Sequence, residues 1–99
     1  MAKTLNDKKA EVFKALSNPV RLDIIDLLTE GEKCVCEIHQ KLQKCEQPYI
    51  SKCLQKLKSV GLIKDRKDGS NVYYSLKICC LKEFFECLNK ILEGKIDEC

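Results

Sequence analysis

The sequence predicts a mainly α-helical domain with one small β-hairpin, and three observations lead there. Apolar residues recur at helical spacing in five separate stretches, and a single pair of extended runs surrounds an Asp68-Gly69 turn. The 99 residues, with no internal repeat and no Gly/Ser/Pro-rich linker, are enough for one domain and few for two. Residues 1–99 are therefore expected to form a single domain, with its core at about 8–93 and a flexible tail at 94–99.

The first helix is expected over residues 5–16, LNDKKAEVFKAL, where Leu5, Val12, Phe13 and Leu16 share a face. Ser17-Asn18-Pro19 ends it and starts the next, since Asn18 is a good N-cap and Pro19 suits the first helical position. VRLDIIDLLTEG then carries Val20, Leu22, Ile24, Ile25, Leu27 and Leu28, which is more than one stripe. This is a central core helix, with Gly31 offering a left-handed stop. VCEIHQKLQ places Val35, Ile38 and Leu42 at i, i+3 and i+7, giving a short third helix that KCEQPY breaks.

QPYISKCLQKLKSVG supplies the fourth helix, with Pro48 near its start and Gly61 at its end. Ile50, Cys53, Leu54 and Leu57 point inward, leaving Ser51, Lys52, Gln55, Lys56 and Lys58 on a polar, basic surface. The extended runs are LIKDR, residues 62–66, and NVYYSL, residues 71–76. Val72, Tyr73 and Tyr74 favour strand, and the intervening Asp-Gly is a hairpin signal. Finally Leu81, Phe84, Phe85, Leu88, Ile91 and Leu92 recur at helical spacing, so residues 79–93 form a last helix with a wide apolar stripe.

Two helices, a pair of short helices joined by a tight turn, and then a basic hairpin follow the order of a winged helix-turn-helix. The first and last helices are left to build a homodimer, which covers apolar surface that so short a chain cannot hide alone. Charge points the same way. Residues 41–67 hold eight Lys/Arg against Glu46 and Asp65, net +6, whereas residues 78–99 are net −2. A basic middle and a weakly acidic end suit a polyanion-binding face beside an end that does not bind. The fourth helix is expected in the major groove of double-stranded DNA, with Lys64, Arg66 and Lys67 of the hairpin against phosphates.

The sequence also excludes classes. MAKTLNDKKA has no apolar signal region and no later stretch could span a bilayer, so a cytoplasmic protein with no membrane partner is expected. In that compartment the eight cysteines stay mostly reduced and compete for three roles: metal binding, redox sensing or core packing. No glycine-rich phosphate loop, paired catalytic carboxylates or Cys/His/Asn set supports an enzyme.

FKALSNPVRLDIIDLL, GEKCVCEI, QPYISKCLQKLKSVGLI and DRKDGSNVYYSL, in this order and at these separations, resemble the arsenic- and metal-responsive ArsR/SmtB repressors over about residues 8–93. The resemblance implies a homodimeric winged-helix repressor that sits on a pseudo-palindromic operator until an inducer lowers its DNA affinity. By position against the family's QPxVSRHLxxL segment, Gln47, Tyr49, Ser51 and Lys52 are the residues expected to reach DNA, joined by Lys56 and by Lys64, Arg66, Lys67 and Ser70 of the hairpin. Two departures stand out: Glu46 replaces the serine that usually precedes Gln-Pro, and Cys53 replaces a common histidine. Base specificity does not carry over.

Arsenic-type members have a CVC motif where this chain has Cys34-Val35-Cys36, and bacterial arsenic sensors often add a third cysteine where this chain has His39. Cys34 at or just before the first turn of the third helix would escape the regular helical offset, while Cys36 and His39 share a face, so three donors could converge. Soft thiolate sites of this kind suit trivalent arsenic, the expected inducer, with cadmium, lead or zinc as other possibilities; none is needed for folding. A cysteine from elsewhere, such as Cys99, could complete the set. Cys79, Cys80 and Cys87 belong to the last helix. Aligned on YYSL, Cys80 occupies a ligand-like place, but Ile78, Ile91 and Gly94 stand where zinc sensors need Asp, His and Glu. These thiols are expected to serve an interface metalloid site, a redox switch or core filling. The competing functions are a repressor switched by cysteine oxidation or reactive sulfur and, from another class, a thiol enzyme or zinc-stabilised interaction module.

Overall fold

The computed structural model describes residues 2–78 and 80–94. Its elements follow the order α1 (Leu5–Leu16), α2 (Pro19–Leu28), β1 (Lys33–Cys34), α3 (Val35–Lys41), α4 (Gln47–Ser59), β2 (Ile63–Asp68), β3 (Asn71–Leu76) and α5 (Leu81–Leu92). This is a mainly helical winged helix-turn-helix with an antiparallel three-stranded wing, strand order β1-β3-β2. The core joins Ile24, Ile25 and Leu28 of α2, Ile38 of α3, and Ile50, Cys53, Leu54 and Leu57 of α4 to Leu16, Leu42, Leu62, Ile63 and Tyr74.

Local chemistry sets the boundaries. Thr4 caps α1, its hydroxyl accepting from the Asp7 N–H while the Asp7 carboxylate accepts from the Thr4 N–H, both at 3.0 Å. Asn18 caps α2 as expected, its side-chain oxygen accepting from the Val20 and Arg21 N–H groups at 2.9 and 3.3 Å. α4 ends in a Schellman turn. There Gly61, at φ +85°, donates to the Lys58 carbonyl, and Leu62 reaches back to the Leu57 carbonyl at 3.1 Å. That bond turns the chain from α4 into the wing and seats Leu62 in the core.

The hairpin pairs Asp68 with Asn71, so its loop is Gly69-Ser70. Gly69 alone has positive φ, +63°, which is the II′ pattern with glycine first. Three expectations shift. The third helix stops at Lys41, because Leu42 leaves helical geometry and its carbonyl accepts from the Cys45 N–H in a turn. The first hairpin strand runs from Ile63 to Asp68 and not over residues 62–66, and the last helix starts at Leu81. β1 was not foreseen. Two residues carry no alternation, and the partners Tyr74 and Tyr73 lie about 40 residues away in the chain.

α5 has no buried residue. Leu81 and Phe85 pack against the core from one side, but Phe84 is 51% exposed and Leu92 75%. On α1, Leu5 is 69% and Phe13 62% exposed. The expected shared face of α1 therefore splits: Leu16 is buried and Val12 packs against the core, while Leu5 and Phe13 face solvent with the α5 stripe.

Candidate functional site

Burial of Ile50, Cys53, Leu54 and Leu57 turns the opposite side of α4 outward, and Tyr49, Lys52 and Lys56, at i, i+3 and i+7, share it. Gln47 is exposed in the first turn and Ser51 partly so. The Tyr49 hydroxyl accepts from the Asn18 side-chain amide at 3.2 Å, so the residue that caps α2 also steadies the start of α4. Lys58 bonds Asp65 at 2.8 Å and ties the end of α4 to the wing, an interaction that raises the Lys58 pKa.

On the wing, Lys64, Lys67 and Ser70 are exposed. Arg66 is otherwise engaged. Its Nε and Nη2 donate to the two carboxylate oxygens of Glu32 at 3.1 and 2.7 Å, and its guanidinium lies 5.0 Å over the Tyr73 ring. The Arg66 hydrogen bonds hold Glu32 below the usual carboxylate range. Tyr74 is buried and its hydroxyl accepts from Gln55 at 3.4 Å, so both tyrosines brace the wing.

Cys34 is the last residue of β1 and the N-cap of α3, a double position that takes it out of helical geometry. Glu37 accepts from the Cys34 N–H at 3.1 Å, and this bond lowers the Glu37 pKa. Cys36, one residue into the helix, is exposed. Both thiols line a shallow pocket of about 220 Å³ together with Val35, Gln47, Ser70, Asn71 and Val72. His39 does not line it. Among the described residues no group of three or more His, Cys, Asp or Glu side chains is gathered for a metal ion. The structure thus brings Cys34 and Cys36 to one pocket, with Gln47 and Ser70 of the expected DNA face, and leaves His39 partly buried nearby in α3.

In the register, Cys34 is opposite Tyr73 and Tyr73 opposite Arg66, one row across the three strands. Cys80 caps α5 without a side-chain bond, and Cys87 is exposed about two turns further on. Cys53 is 1% exposed and Cys45 packs against the core. Cys79 and Cys99 lie outside the described residues. A larger concavity, about 560 Å³ beside Asp23, Asp26, Glu30, Lys41 and Lys44, shares no residue with the thiol pocket.

A basic reading helix flanked by a wing is a geometry that likeness to known proteins can place. Residues 18–65 match the family described as "Bacterial regulatory protein, arsR family". An HTH-type transcriptional regulator of Methanocaldococcus jannaschii is 41% identical over 86% of this chain and 96% of its own. The chain belongs to the arsR family. The arsR relatives include an arsenical resistance operon repressor of Staphylococcus aureus, 36% identical over 81% of this chain and 76% of that protein. They also include a cadmium resistance regulatory protein homolog from the same organism, 41% identical over 78% and 64%. Among solved structures, a homodimeric winged helix-turn-helix DNA-binding domain of Mycobacterium bovis superposes with a TM-score of 0.80 at 33% identity, over 96% of this chain and 93% of that one.

Family membership makes the protein a DNA-binding transcriptional regulator and not an enzyme. Among the described residues no helix is long and apolar enough to cross a membrane. Sequence reasoning named the thiols and the fourth helix but missed Glu32, Asn18 and Asp65 as partners of Arg66, Tyr49 and Lys58. Asn18 was read only as a cap, and Glu32 finds Arg66 across 34 residues of chain that carry no periodic signal of the pairing.

Proposed function

We propose that this protein is a homodimeric, cytoplasmic repressor, one winged-helix domain per protomer, that releases a pseudo-palindromic operator when trivalent arsenic binds the thiolates of Cys34 and Cys36. The observation that carries this reading is the common pocket of the two thiols, which also contains Gln47 and Ser70, two residues assigned to the DNA face. Soft sulfur donors suit a soft ion, and the arsenical and cadmium resistance relatives support the same class of inducer.

Arsenous acid, As(OH)₃, exchanges two hydroxyls for the sulfurs of two thiols, whose protons leave with those hydroxyls as two waters, and keeps its third hydroxyl unless another donor replaces it. His39, or a cysteine from outside the described residues, is the remaining source. Drawing Cys34 and Cys36 onto one ion pulls the end of β1 against the first turn of α3 and crowds Gln47 and Ser70. Linkage then requires that DNA weaken arsenic binding by the factor by which arsenic weakens DNA binding. DNA contact falls to Gln47, Tyr49, Ser51, Lys52 and Lys56 of α4 and to Lys64, Lys67 and Ser70 of the wing, with Arg66 after it leaves Glu32. The exposed apolar residues of α1 and α5, Leu5, Phe13, Phe84, Leu88, Ile91 and Leu92, form the dimer contact.

The test is a DNA-binding titration of reduced protein with arsenite, cadmium, lead and zinc in turn. Cys34→Ser and Cys36→Ser should each bind DNA as the wild type does and lose the response to arsenite; an undiminished response in both removes the site. The exposed thiols Cys80 and Cys87 favour a second reading, release by oxidation. In that case dithiothreitol restores DNA binding with no ion present.

A further inference from the structure

The arginine best suited to grip a phosphate on the wing is already gripping something. All three Arg66 nitrogens face carboxylates: Nε and Nη2 are held by both oxygens of Glu32, and Nη1 lies 3.8 Å from Asp68. Tyr73 covers one face of the guanidinium. A bidentate carboxylate on an arginine fork has the geometry that a phosphate adopts there. Among the described residues, neither Lys64 nor Lys67 has a carboxylate within ion-pair distance, so the arginine alone of the three wing cations is neutralised in this way. The pair is open to solvent, with the Arg66 side chain 54% exposed and that of Glu32 36%. Exposed pairs of this kind are weak enough for an incoming phosphate to displace.

We propose that Glu32 is an intramolecular stand-in for a DNA phosphate: it fills the fork of Arg66 in the free protein, and the wing gains that arginine as a DNA contact only by exchanging carboxylate for phosphate. Glu32 thereby sets the DNA affinity of the wing. It is a positioning residue for binding, and it acts without touching DNA. Tyr73 keeps the guanidinium on the wing during the exchange, so the arginine is presented and not released into solvent.

The experiment uses the full chain, reduced and free of added metal, and a duplex selected from a random pool by the wild-type protein. Anisotropy titrations over a range of salt compare the wild type with Glu32→Gln, Glu32→Ala, Arg66→Gln and the Glu32→Gln/Arg66→Gln double variant, each checked for native circular dichroism. Both Glu32 variants should bind several-fold tighter across the salt range. Arg66→Gln should cost little in the wild type and erase the whole gain in the Glu32→Gln background. If Glu32 instead merely braces the wing, both of its variants bind more weakly and Arg66→Gln adds nothing to them, and the proposal fails. It fails equally if Arg66→Gln costs the same in both backgrounds. Because no inducer is present, these outcomes are independent of the reading of the thiol pair.

Discussion

Cys34 illustrates how much one residue's placement decides. As the N-cap of α3 it sits where serine, threonine or aspartate usually stands, and its sulfur is a poor substitute for their oxygens. The reciprocal half of the capping arrangement is made instead by the Glu37 carboxylate on the Cys34 N–H. That bond holds the Glu37 pKa below its ordinary value, so its contribution is present above the usual carboxylate range and disappears as pH falls through the lowered value. Glu37→Gln should therefore melt earlier than the wild type at neutral pH, and the two melting curves should converge in acid. Thermal denaturation followed at several pH values checks this, and a gap that persisted at the acid end would remove the cap from the explanation. The CVC motif and the placing of Cys34 at the threshold of α3 were both readable in the sequence; the strand β1 that ends at Cys34 was not.

At the level of the element, α4 was almost fully readable. The inward spacing of Ile50, Cys53, Leu54 and Leu57 and the Gly61 stop are local features, and the helix forms where they place it. Its weak point is also local. Glu46 is the N-cap and makes no side-chain bond to the first turn, where Pro48 already lacks an N–H. Glu46→Ser should stabilise the fold by about 0.5 kcal/mol, a cap worth about 1 kcal/mol less the charge–dipole term lost with the acid. It should also tighten DNA binding several-fold by removing a negative charge beside phosphates. Urea denaturation and anisotropy measure the two effects separately. A stabilised variant with unchanged DNA affinity would place Glu46 away from the backbone. The wing was less readable: its strands and Gly69 turn were foreseen, but a third strand that pairs Lys33 with Tyr74 and Cys34 with Tyr73 was not.

Taken as a whole, the molecule is unfinished as a monomer. α5 buries nothing completely, and Leu5, Phe13, Phe84 and Leu92 are more than half exposed on α1 and α5. Phe84→Glu should give a folded monomer in analytical ultracentrifugation and lower the affinity for a two-half-site operator by about 100-fold, the loss expected when two linked contacts become one. A dimer that survived this substitution would move the interface elsewhere.

Helix periods, caps, turn glycines and the order of a winged helix-turn-helix were determined by the sequence alone, because each is set by residues within one or two turns of one another. The basic middle of the chain and the CVC motif were determined there too, since composition and adjacency need no fold. Only the tertiary structure decided that Cys34 and Cys36 share a pocket with Gln47 and Ser70, that His39 does not line it, and that Arg66 is held by Glu32. Those relations join residues dozens of positions apart through sheet register and helix packing, and no local pattern of side chains encodes a contact that exists only once the chain has folded back on itself.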